Sequence, residues 1–113
     1  MALRRFILEM GTGNDLHGGN YTKAALRAVQ DALHHSSLSF IRSLQLDSKQ
    51  MQVEVTIGVQ QPELVDCEAV KKSLPHGQVV VKSVKGGLDV PAESDHDPVV
   101  IASAAIAVRF NLP

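Results

Sequence analysis

The sequence predicts an α+β domain, and three observations predict it. A short apolar run, Arg5–Met10, stops at a glycine and gives way to a stretch with helical period. Four further segments have the length and patterning of strands, with a second helical stretch among them. The last segment, Val99–Phe110, is apolar on both faces, as a strand covered on both sides must be. In chain order the elements read β-α-β-β-α-β-β. They form one domain over residues 1–113, with a mixed or mostly antiparallel sheet and two helices on one face. The nearest simple template is the ferredoxin-like split β-α-β arrangement with a strand added.

Each element has its own warrant. Arg5–Met10 is short, apolar and stopped by Gly11, so it is expected as a buried first strand. From Tyr21 to about His34 the period becomes helical. Ala24, Ala25, Ala28, Val29, Ala32 and Leu33 form one stripe, and so many alanines let the helix sit close to whatever it covers. Asn20 or Thr22 can cap it. Phe40–Leu46 and Met51–Gln60 read as a hairpin around Asp47–Gln50; in the second arm Val53, Val55, Ile57 and Val59 alternate with polar residues or glycine. After Pro62 a shorter helix is expected over Val65–Leu74, with Asp66 as its cap and Pro75–Gly77 as its stop. Gln78–Val84 is the next strand, broken by Lys85-Gly-Gly87, and Val90–Pro98 is an exposed acidic loop. In the last strand Val100, Ala102, Ala104, Ile106, Val108 and Phe110 line one face. Ile101, Ser103, Ala105 and Ala107 line a second, nearly apolar face. Two helices cover one side of such a sheet, so the other side calls for a partner, and a homo-oligomer with sheets packed together is expected.

Composition sets the class. A chain of 113 residues with 44% hydrophobic and 20% charged residues is globular. A formal net charge of −1 gives no footing for general binding to nucleic acid or anionic membranes. One cysteine, Cys67, excludes an internal disulfide and a cysteine zinc site and suits a reducing compartment. The apolar start is too short for a signal peptide and no run is long enough to span a bilayer, so a cytoplasmic location is expected.

The chemistry concentrates between the first strand and the first helix. Gly11-Thr-Gly13-Asn-Asp15-Leu-His17-Gly18-Gly-Asn-Tyr-Thr-Lys23 reads as a glycine-rich loop where backbone can approach a ligand and the opening helix can hold an anion. It carries the first two glycines of a dinucleotide fingerprint without the third, and no Gly-Lys-Ser/Thr ending of a P-loop. Asp15 and His17 form a catalytic pair for proton transfer if the segment is extended; they also suit a divalent metal, or ordinary loop hydrogen bonds. Lys23 and Arg27, four apart, can clamp a carboxylate or phosphate, although Arg27 can instead pair with Asp31. The turn at Lys85, Gly86 and Gly87 can complete the same cleft if the two strands are neighbours. Ser103 is expected as a buried, backbone-bonded serine rather than a nucleophile. Glu93, Asp95, His96 and Asp97 can hold a metal or simply be solvated, and His34-His35 suits the end of a helix. Cys67 reads as structural. No cofactor motif is present.

These motifs carry a resemblance. Gly11-x-Gly-x-Asp15-Leu-His17-Gly18-x-x-x-Thr22-Lys23-Ala-Ala25, then Arg27-Ala-Val-x-Asp31-Ala and Lys85-Gly-Gly-Leu88, resemble a small family of uncharacterised single-domain proteins of bacteria and plants, over essentially the whole chain. A fainter similarity is to the ring-opening amidohydrolases, cyanuric acid hydrolase and barbiturase, built of three α+β repeats around a central site. Gly11–Asn14, Tyr21–Lys23, Lys85–Gly87 and Ala102–Ile106 look like their turns and late strand. Their catalytic lysine has no counterpart near Thr12, and Lys85 stands at their serine. The resemblance thus implies three copies about an axis, not the amidase mechanism. Taken together, the sequence points to a homo-oligomer with a small-molecule site, a hydrolase or isomerase of a small anionic or heterocyclic metabolite. A non-catalytic sensor or structural subunit with the loop at an interface is the alternative.

Overall fold

A computed structural model describes residues 3–34, 51–74, 77–93 and 98–111. The elements are β1 (Leu3–Asp15), α1 (Tyr21–His34), β2 (Gln52–Val59), a 3-10 turn (Pro62–Leu64), α2 (Cys67–Lys72), β3 (Gln78–Lys85), β4 (Leu88–Val90) and β5 (Val99–Asn111). They form an α+β domain with a mixed sheet in the order β1-β5-β2-β3, and β4 also pairs with β5. β5 is central, as its two apolar faces required. It runs antiparallel to β1 on one side and, on the other, to β2 over Ser103–Arg109 and to β4 over Val99–Ile101. β2 and β3 are parallel, joined through the 3-10 turn and α2, because a parallel pair needs a crossover of this length.

Three boundaries differ from expectation. β1 does not stop at Met10 but runs on to Asp15, so Gly11 and Gly13 are strand residues, not the start of a loop. Between the Lys85-Gly-Gly87 break and the expected loop at Val90–Pro98, where no element was expected, lies β4, whose last residue, Val90, opens that loop; it fills the place beside β5 beyond the end of β2. The second helix is shorter, six residues, with Asp66 as cap through Oδ1, which accepts from the Ala69 amide at 3.1 Å. β2 has β5 on one side and β3 on the other. The first arm of the expected hairpin, Phe40–Leu46, its turn at Asp47–Gln50, and Pro75 and His76 of the helix stop lie outside the described residues.

Both helices lie on one face. α1 packs on β1 and β5, and α2 on β3 and the flank of α1. Ala24, Ala25, Ala28, Val29 and Ala32 of α1 are fully buried against Ile57, Val100, Ala102 and Ile106 of the sheet core. Glycine makes that approach possible. A Cβ on Gly11 would lie 2.4 Å from the Ala28 carbonyl oxygen and the Ala32 nitrogen; one on Gly13 would lie 2.2 Å from the Ala28 nitrogen. Alanines on the helix and glycines on the strand are two halves of one close contact. The opposite face of the sheet is open. Leu8 and Met10 of β1, Val80 and Val84 of β3, and Leu88 and Val90 of β4 are exposed on it. Ser103, expected to be buried, is exposed there as well.

Candidate functional site

The first turn of α1, seated over the C-terminal end of β1, gathers most of the predicted polar residues. The chain leaves β1 at Asp15, bends through Leu16–Gly19 with Gly18 and Gly19 at positive φ, and enters α1 at Asn20. Asn20 is the cap: its Oδ1 accepts from the Lys23 amide at 3.0 Å, and its carbonyl accepts from the Ala24 amide at 3.1 Å. Thr22, the other candidate, instead ties α1 to α2, its Oγ1 accepting from the Asp66 amide at 2.8 Å.

Asp15 is the hub. It is 2% exposed, because its side chain points to the helix face in register with Gly11 and Gly13. Its Oδ2 accepts from the Asn20 amide at 2.8 Å, and its Oδ1 faces Lys23 Nζ at 3.8 Å and Arg27 Nη1 at 3.7 Å. Arg27 Nη1 also donates to the Asn14 carbonyl at 2.6 Å. A buried carboxylate thus tethers two cations whose side chains remain about half exposed, 53% for Lys23 and 49% for Arg27. Beyond them Lys23, Leu26, Arg27, Gln30, Asp31 and His34 line a shallow depression of about 390 Å³ along the outer side of α1. Asp31 Oδ2 accepts the Thr12 amide of β1 at 2.9 Å.

The other predicted residues are placed differently. His17 is exposed at the bend, and among the described residues no hydrogen bond or ion pair joins it to Asp15. The segment is not extended through both residues, so the pair expected for proton transfer is not formed. Gly11 and Gly13 are closed over by α1 and cannot line a cavity; Gly18 is exposed at the bend. The Lys85–Gly86–Gly87 turn sits at the same end of the sheet but across β5 from Asn14 and Asp15. Gly86 and Gly87 let it cross over the end of β2: the Gly86 amide donates to the Val59 carbonyl at 2.9 Å, and Gln60 Nε2 donates to both glycine carbonyls at 3.1 Å. A Cβ on Gly87 would lie 2.1 Å from the Ile101 carbonyl oxygen. Lys85 is exposed. Cys67 is partly buried, its Sγ 3.9 Å from Ser83 Oγ. Asp95, His96, Asp97 and His35 lie outside the described residues.

One polar cluster has no forerunner in the sequence reading. Tyr21, 6% exposed, donates its phenol hydrogen to Asp89 Oδ2 in β4 and accepts from Gln61 Nε2 at 2.9 Å. Asp89 Oδ1 is buried and, among the described residues, has no hydrogen-bond partner. Burial pushes the Tyr21 phenol above its usual range, the hydrogen bond and charge of Asp89 add to this, and the Gln61 hydrogen bond opposes it. Asp89 and Asp15 flank Val100 from either side, so both carboxylates lie beneath the start of α1. A pattern signal for this cluster does not exist, since its members come from α1, the loop after β2 and a three-residue strand.

The chain belongs to the Lin0512_fam family of conserved hypothetical proteins, whose profile matches residues 5–108. It is also similar to an FtsZ-like protein of unknown function from Nostoc punctiforme PCC 73102, known from a crystal structure. That likeness has 36% sequence identity and a TM-score of 0.85, and covers 97% of this chain and 98% of that one. No curated protein is significantly similar to it. These matches add nothing to the amidohydrolase likeness.

Proposed function

We propose that the protein binds a small metabolite through a carboxylate or phosphate group, on the outer side of α1 at Lys23 and Arg27. One observation carries the reading: a buried carboxylate, Asp15, holds both cations from below while about half of each faces solvent. Such tethering removes part of the rotamer entropy that two long side chains lose when they close on an anion. Both ion pairs are longer than a hydrogen bond, so the Lys23 ammonium and the outer Arg27 nitrogens keep donors for a ligand. Gln30 and His34 extend the same side of the helix with further polar groups suited to the rest of a polar molecule.

The reading is one of binding rather than hydrolysis or isomerisation. Asp15 already answers two cations and the Asn20 amide, and His17 stands apart from it. Calorimetric titration with inorganic phosphate and with citrate tests the site. Wild type is expected to bind at least one of them, with affinity falling as salt rises. Lys23→Ala and Arg27→Ala are each expected to weaken that binding about ten-fold or more, the scale of one lost charge-assisted hydrogen bond. Equal binding in wild type and both variants would place the site elsewhere.

A further inference from the structure

The face of the sheet opposite the helices is apolar far beyond what solvent exposure explains. Among the described residues eight large apolar side chains are exposed, and six of them, Leu8, Met10, Val80, Val84, Leu88 and Val90, stand on this one face. Strand register places them there: Leu8 pairs with Ala107 and Met10 with Ala105, Leu88 pairs with Ile101, and Val80 and Val84 alternate with the buried Val79. Between Leu8 and Met10 on one side and Val80 and Val84 on the other run the second side of β5, with Ile101, Ser103, Ala105 and Ala107, and the row Gln52, Glu54, Thr56 and Gly58 of β2. Scattered apolar residues are ordinary on a protein surface; six of eight exposed ones gathered on one face of a sheet are not. The charged residues on this face are Arg5, Glu54, Lys82 and Arg109, of which Glu54 and Arg109 are joined at 3.2 Å.

We infer that this face is the interface between copies of this chain, sheet packed on sheet. Two strands of thirteen residues, two of eight and the short β4 present about 700 Å² in projection at ~3.3 Å per residue and ~4.8 Å between strands. A stable interface buries about 800 Å² of accessible surface on each partner, so this face alone comes close to sufficing. One helical layer on a wide sheet is half of a sandwich, and a second copy supplies the missing half. A groove of about 430 Å³ between β2 and β3, walled by Glu54, Thr56, Val80 and Lys82, gives side chains of the second copy a place to enter.

Sedimentation velocity and light scattering over a range of concentrations test this on the intact chain. Wild type is expected at a multiple of 12.2 kDa. Met10→Glu and Val80→Glu, each placing a charge inside the interface, are expected to weaken association ~100-fold or more and so yield monomer. Leu64→Glu, equally exposed but off this face, is expected to leave the assembly unchanged, and far-UV circular dichroism confirms folding of each variant. Two face variants guard against one that fails to fold. A wild-type monomer at all concentrations would overturn the inference, whether the face is then covered by residues of the same chain or by another protein. So would an assembly that survives both face substitutions.

Discussion

Replacing Gly13 with alanine is expected to cost stability through packing alone, and the structure sets the size of the effect. The added Cβ would sit 2.2 Å from the Ala28 nitrogen and 2.4 Å from the Ala24 carbonyl oxygen, where ordinary contact begins at 3.4 Å. Both obstacles are helix backbone, which no rotamer change can move, so α1 must lift from β1 by about an ångström. That shift loosens Ala24, Ala28 and Ala32, all fully buried. Overpacking of a filled core costs roughly 1–3 kcal/mol, and a rigid obstacle belongs at the upper end. Against it stands the ~0.4–1 kcal/mol by which alanine restricts the unfolded chain. The net expectation is a loss of ~2–2.6 kcal/mol, read as a fall in thermal midpoint of roughly 8–10 °C for a chain of this length. Urea unfolding followed by circular dichroism measures the same quantity. A variant within ~0.5 kcal/mol of wild type would refute the claim that this glycine exists for the helix.

Two further perturbations follow from the same geometry. Asp15→Asn keeps an acceptor for the Asn20 amide and leaves its former cations in solvent, so it should cost only ~1 kcal/mol, whereas Asp15→Ala strands a donor and should cost ~2–3 kcal/mol in urea unfolding. Tyr21 is the only tyrosine, so phenolate absorbance titrates it directly and should show a midpoint above pH 10. Because the folded state holds the proton more tightly than the unfolded state, this contribution to stability is complete below pH 10 and lost as pH rises through the folded value. Tyr21→Phe should lack that component of the alkaline loss, and should be less stable at neutral pH by ~1–3 kcal/mol because Asp89 and Gln61 lose their partner.

What was legible in the sequence was what short-range periodicity encodes. The alanine stripe of α1 and the cap positions Asn20 and Asp66 depend on neighbours within one or two helical turns. The two-sided apolarity of β5 marked it as a central strand, and it is paired on both edges. Gly11 and Gly13 misled because their reason lies in Ala24, Ala28 and Ala32, more than ten residues downstream; locally a Gly-x-Gly run resembles a turn. β4 escaped because three residues between a Gly-Gly turn and a proline give no alternation to count. Tyr21, Gln61 and Asp89 meet across separations of 40 and 68 residues, which no local pattern reports. At the candidate site, Asp15, Lys23 and Arg27 are brought together and His17 is not, since the chain bends immediately after β1.

The most direct test of the ligand reading is the phosphate and citrate titration of wild type beside Lys23→Ala and Arg27→Ala, each first shown to be folded. Saturable binding that both substitutions weaken about ten-fold or more is the predicted result. Binding indifferent to both, or none in wild type, would contradict it.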